Sequence, residues 1–248
     1  LPWVGLGGAM DVAFHDGIAY ALVTLVGSDV GGTDVVGIYR IDGPDEVTPI
    51  ADIGSFTLAN PSPTDWFIPS GVQYAMEPWR GGFLVTDGHH NRVLRVTLDG
   101  HVSESRGFDN IVPTGLEVQG STVYVAQLGP APNAPADGKV LAFGPKSAAV
   151  KVVASGAPML VDVERGRGQT MFALSQGVWD GAFPGSPALP GTGSLLRVNG
   201  DGSLGVVADG LSLPSSLEII GNTAYVVTLA GEVWAFDTVA SPPFGRSR

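Results

Sequence analysis

The stretch Gly71–Phe108, GVQYAMEPWRGGFLVTDGHHNRVLRVTLDGHVSESRGF, decides the fold. Within it the runs GVQYA, GGFLVTD, RVLRVT and VSESRGF alternate apolar and polar residues, and turn-forming Gly, Asp, Asn and Pro residues separate them. A period of two between such turns is the pattern of a half-buried antiparallel meander.

Outward from this stretch the same order of strands recurs. First strands read MDVAF (Met10–Phe14), GLEVQ (Gly115–Gln119), LVDVE (Leu160–Glu164) and SLEII (Ser216–Ile220), so that the repeats lie about 45 to 60 residues apart. Second strands read GIAYALVTL, STVYVAQL, QTMFALSQ and NTAYVVTL, and third strands GIYRID, KVLAFG, SLLRVN and EVWAFD. A fourth appears in three of these units, as VTPIADIG, VKVVASG and LGVVADG. One such unit cannot bury its apolar face alone, so neighbours must stack. The pattern predicts an all-β fold, a β-propeller of four-stranded antiparallel blades, with five blades in this chain and six if an upstream blade is missing. The propeller domain is expected over residues 1–240, with SPPFGRSR (241–248) as a C-terminal tail. The fifth unit stops at EVWAFDTVA, so its outermost strand comes from elsewhere or is missing. The local candidate, PWVGL (Pro2–Leu6), is a poor strand, and an unclosed blade edge is a place for self-association.

Composition agrees. The 248 residues include 36 Gly and 19 Pro, and only 15% are charged, which favours short strands and tight turns over helices. A formal charge of −11 with 13 scattered Lys and Arg residues argues against a nucleic-acid partner. No long apolar run predicts a membrane span. The absence of cysteine removes disulfides, thiolate chemistry and Cys-bound zinc, and leaves export open. Starting at Leu1, the chain reads as processed or truncated.

The runs GGAMDVAFHDGIAYAL (Gly7–Leu22), IPSGVQYAMEPWRGGFLVTDGHHNRVLRVTLDG (Ile68–Gly100), IVPTGLEV (Ile111–Val118) and VVADGLSLPSSLEI (Val206–Ile219) resemble the ScyD/ScyE family, which has NHL-like propeller repeats. Members carry more sequence before the equivalent of Met10. The resemblance implies an exported protein, periplasmic or secreted, and supplies no catalytic residues.

Loop lengths locate candidate sites. In an antiparallel blade the turns between second and third strands share one end with the links between blades. That end carries the long segments Val26–Val36, Gly54–Ser70, Gly129–Gly138 and Gln176–Gly193, whereas the opposite end is trimmed. Binding residues concentrate on loops held by a rigid scaffold. Candidate ligand-binding residues are Asp65, Trp66, Phe67, Asn133, Trp179, Asp180 and Phe183, aromatics beside carboxylates and an amide that suit a small molecule or glycan. The competing role for each aromatic is to anchor its loop.

The adjacent His89 and His90 fall in a turn at the same end and are the candidate catalytic residues, since imidazole serves as ligand or general base near neutral pH. Asp87 and Asn91 read as turn formers, and His15 and His101 as solvated. Glu117, Asp162 and Glu218, with Gln73, are placed in register on inner strands, where three carboxylates would suit Ca²⁺ or Mg²⁺. Hydrated carboxylates paired with Arg165 or Arg167 are the alternative. Three functions follow as expectations: an exported propeller binding a small molecule or glycan at its long-loop end; a metal-assisted, lactonase-like hydrolase or lyase using the carboxylates and a loop histidine; and a protein-interaction platform.

Overall fold

The computed structural model describes residues 7–63, 68–130, 137–144, 147, 149–183 and 185–240. The chain divides into two compact units, Leu1–Pro113 and Thr114–Arg248.

The first unit holds two antiparallel sheets of four strands each. One comprises β1 (Gly8–His15), β2 (Ile18–Thr24), β3 (Gly37–Gly43) and β4 (Glu46–Asp52), and the other β5 (Gln73–Pro78), β6 (Gly82–Asp87), β7 (Arg92–Thr97) and β8 (Val102–Gly107). Each strand pairs with the next in sequence, as short turns dictate. Two of those turns, at Asp16-Gly17 and Arg80-Gly81, place both residues at positive φ, the backbone twist that a two-residue hairpin needs. Alternation along β2 and β6 sends Tyr20, Leu22, Phe83 and Val85 into one core with Ile38, Met76 and Leu94. Each such fully buried side chain contributes about 1.5–3 kcal/mol.

The second unit holds three sheets. β9 (Pro113–Gln119), β10 (Thr122–Gln127), β11 (Gly138–Phe143) and β12 (Val150–Ala157) form the first; β13 (Leu160–Arg165), β14 (Met171–Ser175), β15 (Gly193–Val198) and β16 (Leu204–Leu211) form the second. The third has only β17 (Pro214–Ile220), β18 (Thr223–Thr228) and β19 (Val233–Phe236). These five sheets are the blades of an all-β β-propeller, and the fifth lacks a fourth strand among the described residues, as its sequence implied. Two apolar clusters pack the unit: Val140, Leu160, Val163 and Leu196 in one, Phe172, Leu195, Leu217 and Val226 in the other.

One helix departs from the sequence reading. α1 (Ile53–Ala59) forms inside the segment expected to be loop, with Asp52 Oδ1 accepting from Ser55 N at 2.8 Å as its N-cap.

The inner strands share a further device. β1 bulges between Ala9 and Asp11, and β13 between Leu160 and Asp162. A bulge leaves backbone N–H groups outside the ladder. Asp11 Oδ1 accepts from Val12 N at 2.7 Å and Oδ2 from Met76 N of the next blade at 2.7 Å. Asp162 repeats this within the second unit, Oδ1 accepting from Val163 N at 2.9 Å and Oδ2 from Leu217 N at 2.7 Å. One residue before the inner strands β9, β13 and β17, the backbone turns left-handed at Val112, Met159 and Leu213, with φ of 50°, 41° and 52°. That region is unfavourable for branched side chains, and burial of Val112 and Met159 offsets the strain.

Candidate functional site

The turn joining β6 to β7 carries the histidine pair. Asn91 closes it, with φ of 52° and its N–H donated to Gly88 O at 3.2 Å, and Asn91 Oδ1 accepts from both Ile111 N and Val112 N at 2.8 Å. Asp87 does something other than the expected turn capping. It is wholly buried, accepting from Arg92 Nε at 3.0 Å and from Gln73 Nε2 at 3.3 Å, while Gln73 Oε1 accepts from Thr24 Oγ1 at 2.9 Å. Burial pushes the Asp87 carboxyl up to about 7, against the opposing pull of Arg92. Arg92 in turn donates from Nη1 to Asn60 O at 2.8 Å and lies over the Phe56 ring, pinning the end of α1.

His89 and His90 are 5% and 7% exposed. His90 Nδ1 accepts from Ser62 N at 3.1 Å, and the ring lies beside the backbone of Ile68 and Pro69. Burial, reinforced by the neighbouring His90, lowers the pKa of His89 to about 3, and burial followed by the Arg92 charge lowers that of His90. Both rings are therefore neutral near neutral pH and turned into the protein. The structure gives His90 the part of a latch on the Gly54–Ser70 segment, which Asp29 also holds by accepting from Ser70 N at 2.9 Å. His15, expected to be solvated, packs edge-on against Phe83 with ring centroids 5.9 Å apart.

The carboxylate register shifts. Met76 and Leu217 donate equivalent backbone bonds to Asp11 and Asp162, and Val72, Met159 and Leu213 accept equivalent bonds from Gly88, Gln176 and Leu229. Aligned on these bonds, and for Glu117 on the left-handed Val112 that matches Met159 and Leu213, the residues Glu77, Glu117, Glu164 and Glu218 occupy one repeat position, whereas Gln73 and Asp162 do not. The bulges insert residues that a strict period of two does not count. Both oxygens of Asp162 accept from backbone N–H groups, and its place in the repeat differs from that of Glu117 and Glu218. Glu164 is the fourth-blade residue at that shared position, and it is hydrogen-bonded to Glu117. The Glu117 carboxyl is raised chiefly by burial, with Glu164 and Arg165 acting against the rise, and Glu218 is raised by partial burial. Among the described residues no group of three His, Cys, Asp or Glu side chains is gathered for a metal ion.

Of the loop candidates, Asp65, Trp66, Phe67 and Asn133 lie outside the described residues. The segment carrying the other three folds back on itself. Trp179 bridges to Ala188 and donates from Nε1 to Ser186 Oγ at 2.6 Å, Leu189 N donates to Val178 O at 2.8 Å, and Gln176 Oε1 accepts from Ala188 N at 3.0 Å. Trp179 thus anchors its loop, and Asp180 shapes it by accepting from Ala182 N at 2.9 Å. Phe183 stands 48% exposed, with Val178 and Leu189 also exposed.

Sequence reasoning missed a cleft of about 330 Å³ at the opposite, trimmed end of the third and fourth blades. Its walls are the β13–β14 turn (Gly168, Gln169, Thr170), the β15–β16 turn (Asn199, Gly200), Tyr124, Arg165, and the apolar Val153, Met171 and Val198. Arg165 lies 5.8 Å from the Tyr124 ring centroid and donates from Nη2 to Gln169 Oε1, which also accepts from Gln119 Nε2 at 2.7 Å. The available sign was the turn GRGQT (Gly166–Thr170), longer than its two-residue counterparts at Asp16-Gly17 and Arg80-Gly81.

No family profile matches the chain, and no curated protein matches it. Solved structures do, at low identity. A chain of a nidogen/laminin complex is 14% identical with a TM-score of 0.64, covering 93% of this chain and 76% of its own. A streptogramin B lyase is 12% identical with a TM-score of 0.54, covering 93% of this chain and 68% of its own. A quinonprotein alcohol dehydrogenase-like protein from Bacteroides thetaiotaomicron is 12% identical with a TM-score of 0.51; 96% of this chain matches 52% of that one. These likenesses establish the propeller fold, which hosts unrelated functions. No helix among the described residues is long and apolar enough to cross a membrane.

Proposed function

We propose that the protein works by recognition: its long-loop end binds a small molecule or glycan, outside the cytoplasm as the ScyD/ScyE resemblance implies. One observation carries this reading. The Gln176–Gly193 segment is braced internally, yet the brace holds Phe183, Val178 and Leu189 out in solvent. Exposing three large apolar side chains on one braced loop forgoes burial energy, and exposed apolar surface of this kind marks interaction sites. The hydrolase or lyase reading draws less support, because its base must be reached by substrate and both histidines are buried.

The test is an immobilised-protein screen against a glycan array and a library of aromatic metabolites, repeated with Phe183→Ser and Leu189→Ser. A ligand retained by the parent and weakened about tenfold or more by either change supports the reading. Ligands that bind both variants as well as the parent place recognition elsewhere and overturn it.

A further inference from the structure

The cleft at the trimmed end of the third and fourth blades is independent of that loop surface. We propose that it is a second binding site, built for a neutral polyhydroxylated molecule of mono- or disaccharide size. Its volume falls at the lower end of the about 300–1,000 Å³ range of small-molecule sites.

Three observations point to a ligand. Thr170 lines the cleft and is only 6% exposed, and its Oγ1 is buried with no hydrogen-bond partner. A rotation of the Thr170 side chain toward the cleft lets a bound group supply the missing partner. The β13–β14 turn that presents it differs from the hairpins at Asp16-Gly17 and Arg80-Gly81, with glycine first and a non-glycine second at consecutive positive φ, Gly168 (69°) and Gln169 (68°). Gln169 is a non-glycine residue in the left-handed region, a conformation that tends to persist where a site needs it. Finally, the lining pairs an aromatic ring and an apolar floor with planar polar groups, Tyr124, Val153, Met171 and Val198 against Arg165, Gln169 and Asn199. A pyranose offers the matching surfaces: C–H groups for the ring, and adjacent hydroxyls for guanidinium and amide forks.

Charge selects neutrality. Arg165 is the one ionisable side chain with a permanent charge in the lining, and Glu117, hydrogen-bonded to the Arg165 backbone and within reach of its charge, offsets it. An anion approaches against the −11 net charge of the chain, and a cation meets Arg165 in the lining.

The experiment is ligand-observed NMR and calorimetry with glucose, galactose, N-acetylglucosamine, maltose and glucuronate, on the parent protein, Thr170→Val and Arg165→Met. At least one neutral sugar binds saturably, in the millimolar to micromolar range, and either variant weakens it about fivefold or more. Thr170→Val keeps or raises the melting temperature, because it deletes an unpartnered hydroxyl without changing shape, so a loss of binding there is not a loss of fold. Phe183→Ser leaves the sugar affinity unchanged, which separates this site from the loop surface. Failure of every neutral sugar at tens of millimolar, binding that both variants leave intact, or tighter binding of glucuronate than of glucose would each overturn the proposal.

Discussion

Asp162 of the fourth blade accepts the backbone N–H of Leu217 in the fifth at 2.7 Å while its other oxygen accepts from Val163 N, so one carboxylate serves an N–H beside its own bulge and another on the next inner strand. Asparagine keeps the size but offers a single acceptor oxygen. Asp162→Asn is expected to lose about 1–3 kcal/mol of stability, measured by urea unfolding, with Asp11→Asn behaving alike in the first unit. Unchanged midpoints in both variants contradict the clasp.

Gly115 tests the same neighbourhood sterically. A Cβ there meets Asp162 Oδ1 at 2.3 Å and Asp162 Cα at 2.4 Å, and the backbone atom has no room to retreat. Gly115→Ala should cost about 1–3 kcal/mol or more. A melting temperature equal to that of the parent rules out this close approach.

The buried pair in the first unit gives a pH dependence whose sign can be worked out. Asp87 titrates at about 7 when folded and near 3.9 unfolded, so between those values the folded state binds the extra proton. Its stabilising effect is complete below that window and is lost as pH rises through about 7. His89, lowered to about 3 when folded against about 6.5 unfolded, stabilises above 6.5 and loses that contribution as pH falls towards 3. On acidification from pH 7 to 5 the two effects oppose each other. Asp87→Asn removes one of them, so its melting temperature should fall more steeply over this interval than that of the parent. Parallel pH profiles refute the assignment.

His90 holds the Gly54–Ser70 segment by accepting from Ser62 N. His90→Phe keeps a ring of similar size and removes the acceptor. Hydrogen exchange at Ser62 should accelerate about tenfold, the equivalent of one ordinary hydrogen bond, with β6 and β7 still protected. Equal acceleration across the whole unit points instead to global destabilisation.

The blades were legible because alternation and turn residues survive in every repeat, and Glu117 and Glu218 were matched correctly. Gln73 and Asp162 were misplaced because bulges change the strand count without changing the composition. Asn91 was recognisable as a turn former, since Asn tolerates positive φ; the pairing of Asp87 with Arg92 was not, because it depends on how deeply the hairpin sits. α1 left a faint trace in the Asp52-to-Ser55 cap, too short for a helical period to stand out. The cleft depends on Thr170 and Tyr124 meeting across two blades, which no single strand encodes.

The fifth blade, three-stranded among the described residues, also sets how this molecule gives way under force. β19 spans four residues and pairs only with β18 among the described residues, and the segment after it is tied by Val239 N to Asn222 O at 3.1 Å and by Ala240 N to Asn222 Oδ1 at 2.9 Å, so a load applied beyond Ala240 first breaks that tie and then peels β19 open one ladder rung at a time. Rupture should begin there, at a low pulling force, with the clasped sheets of the second unit yielding afterwards.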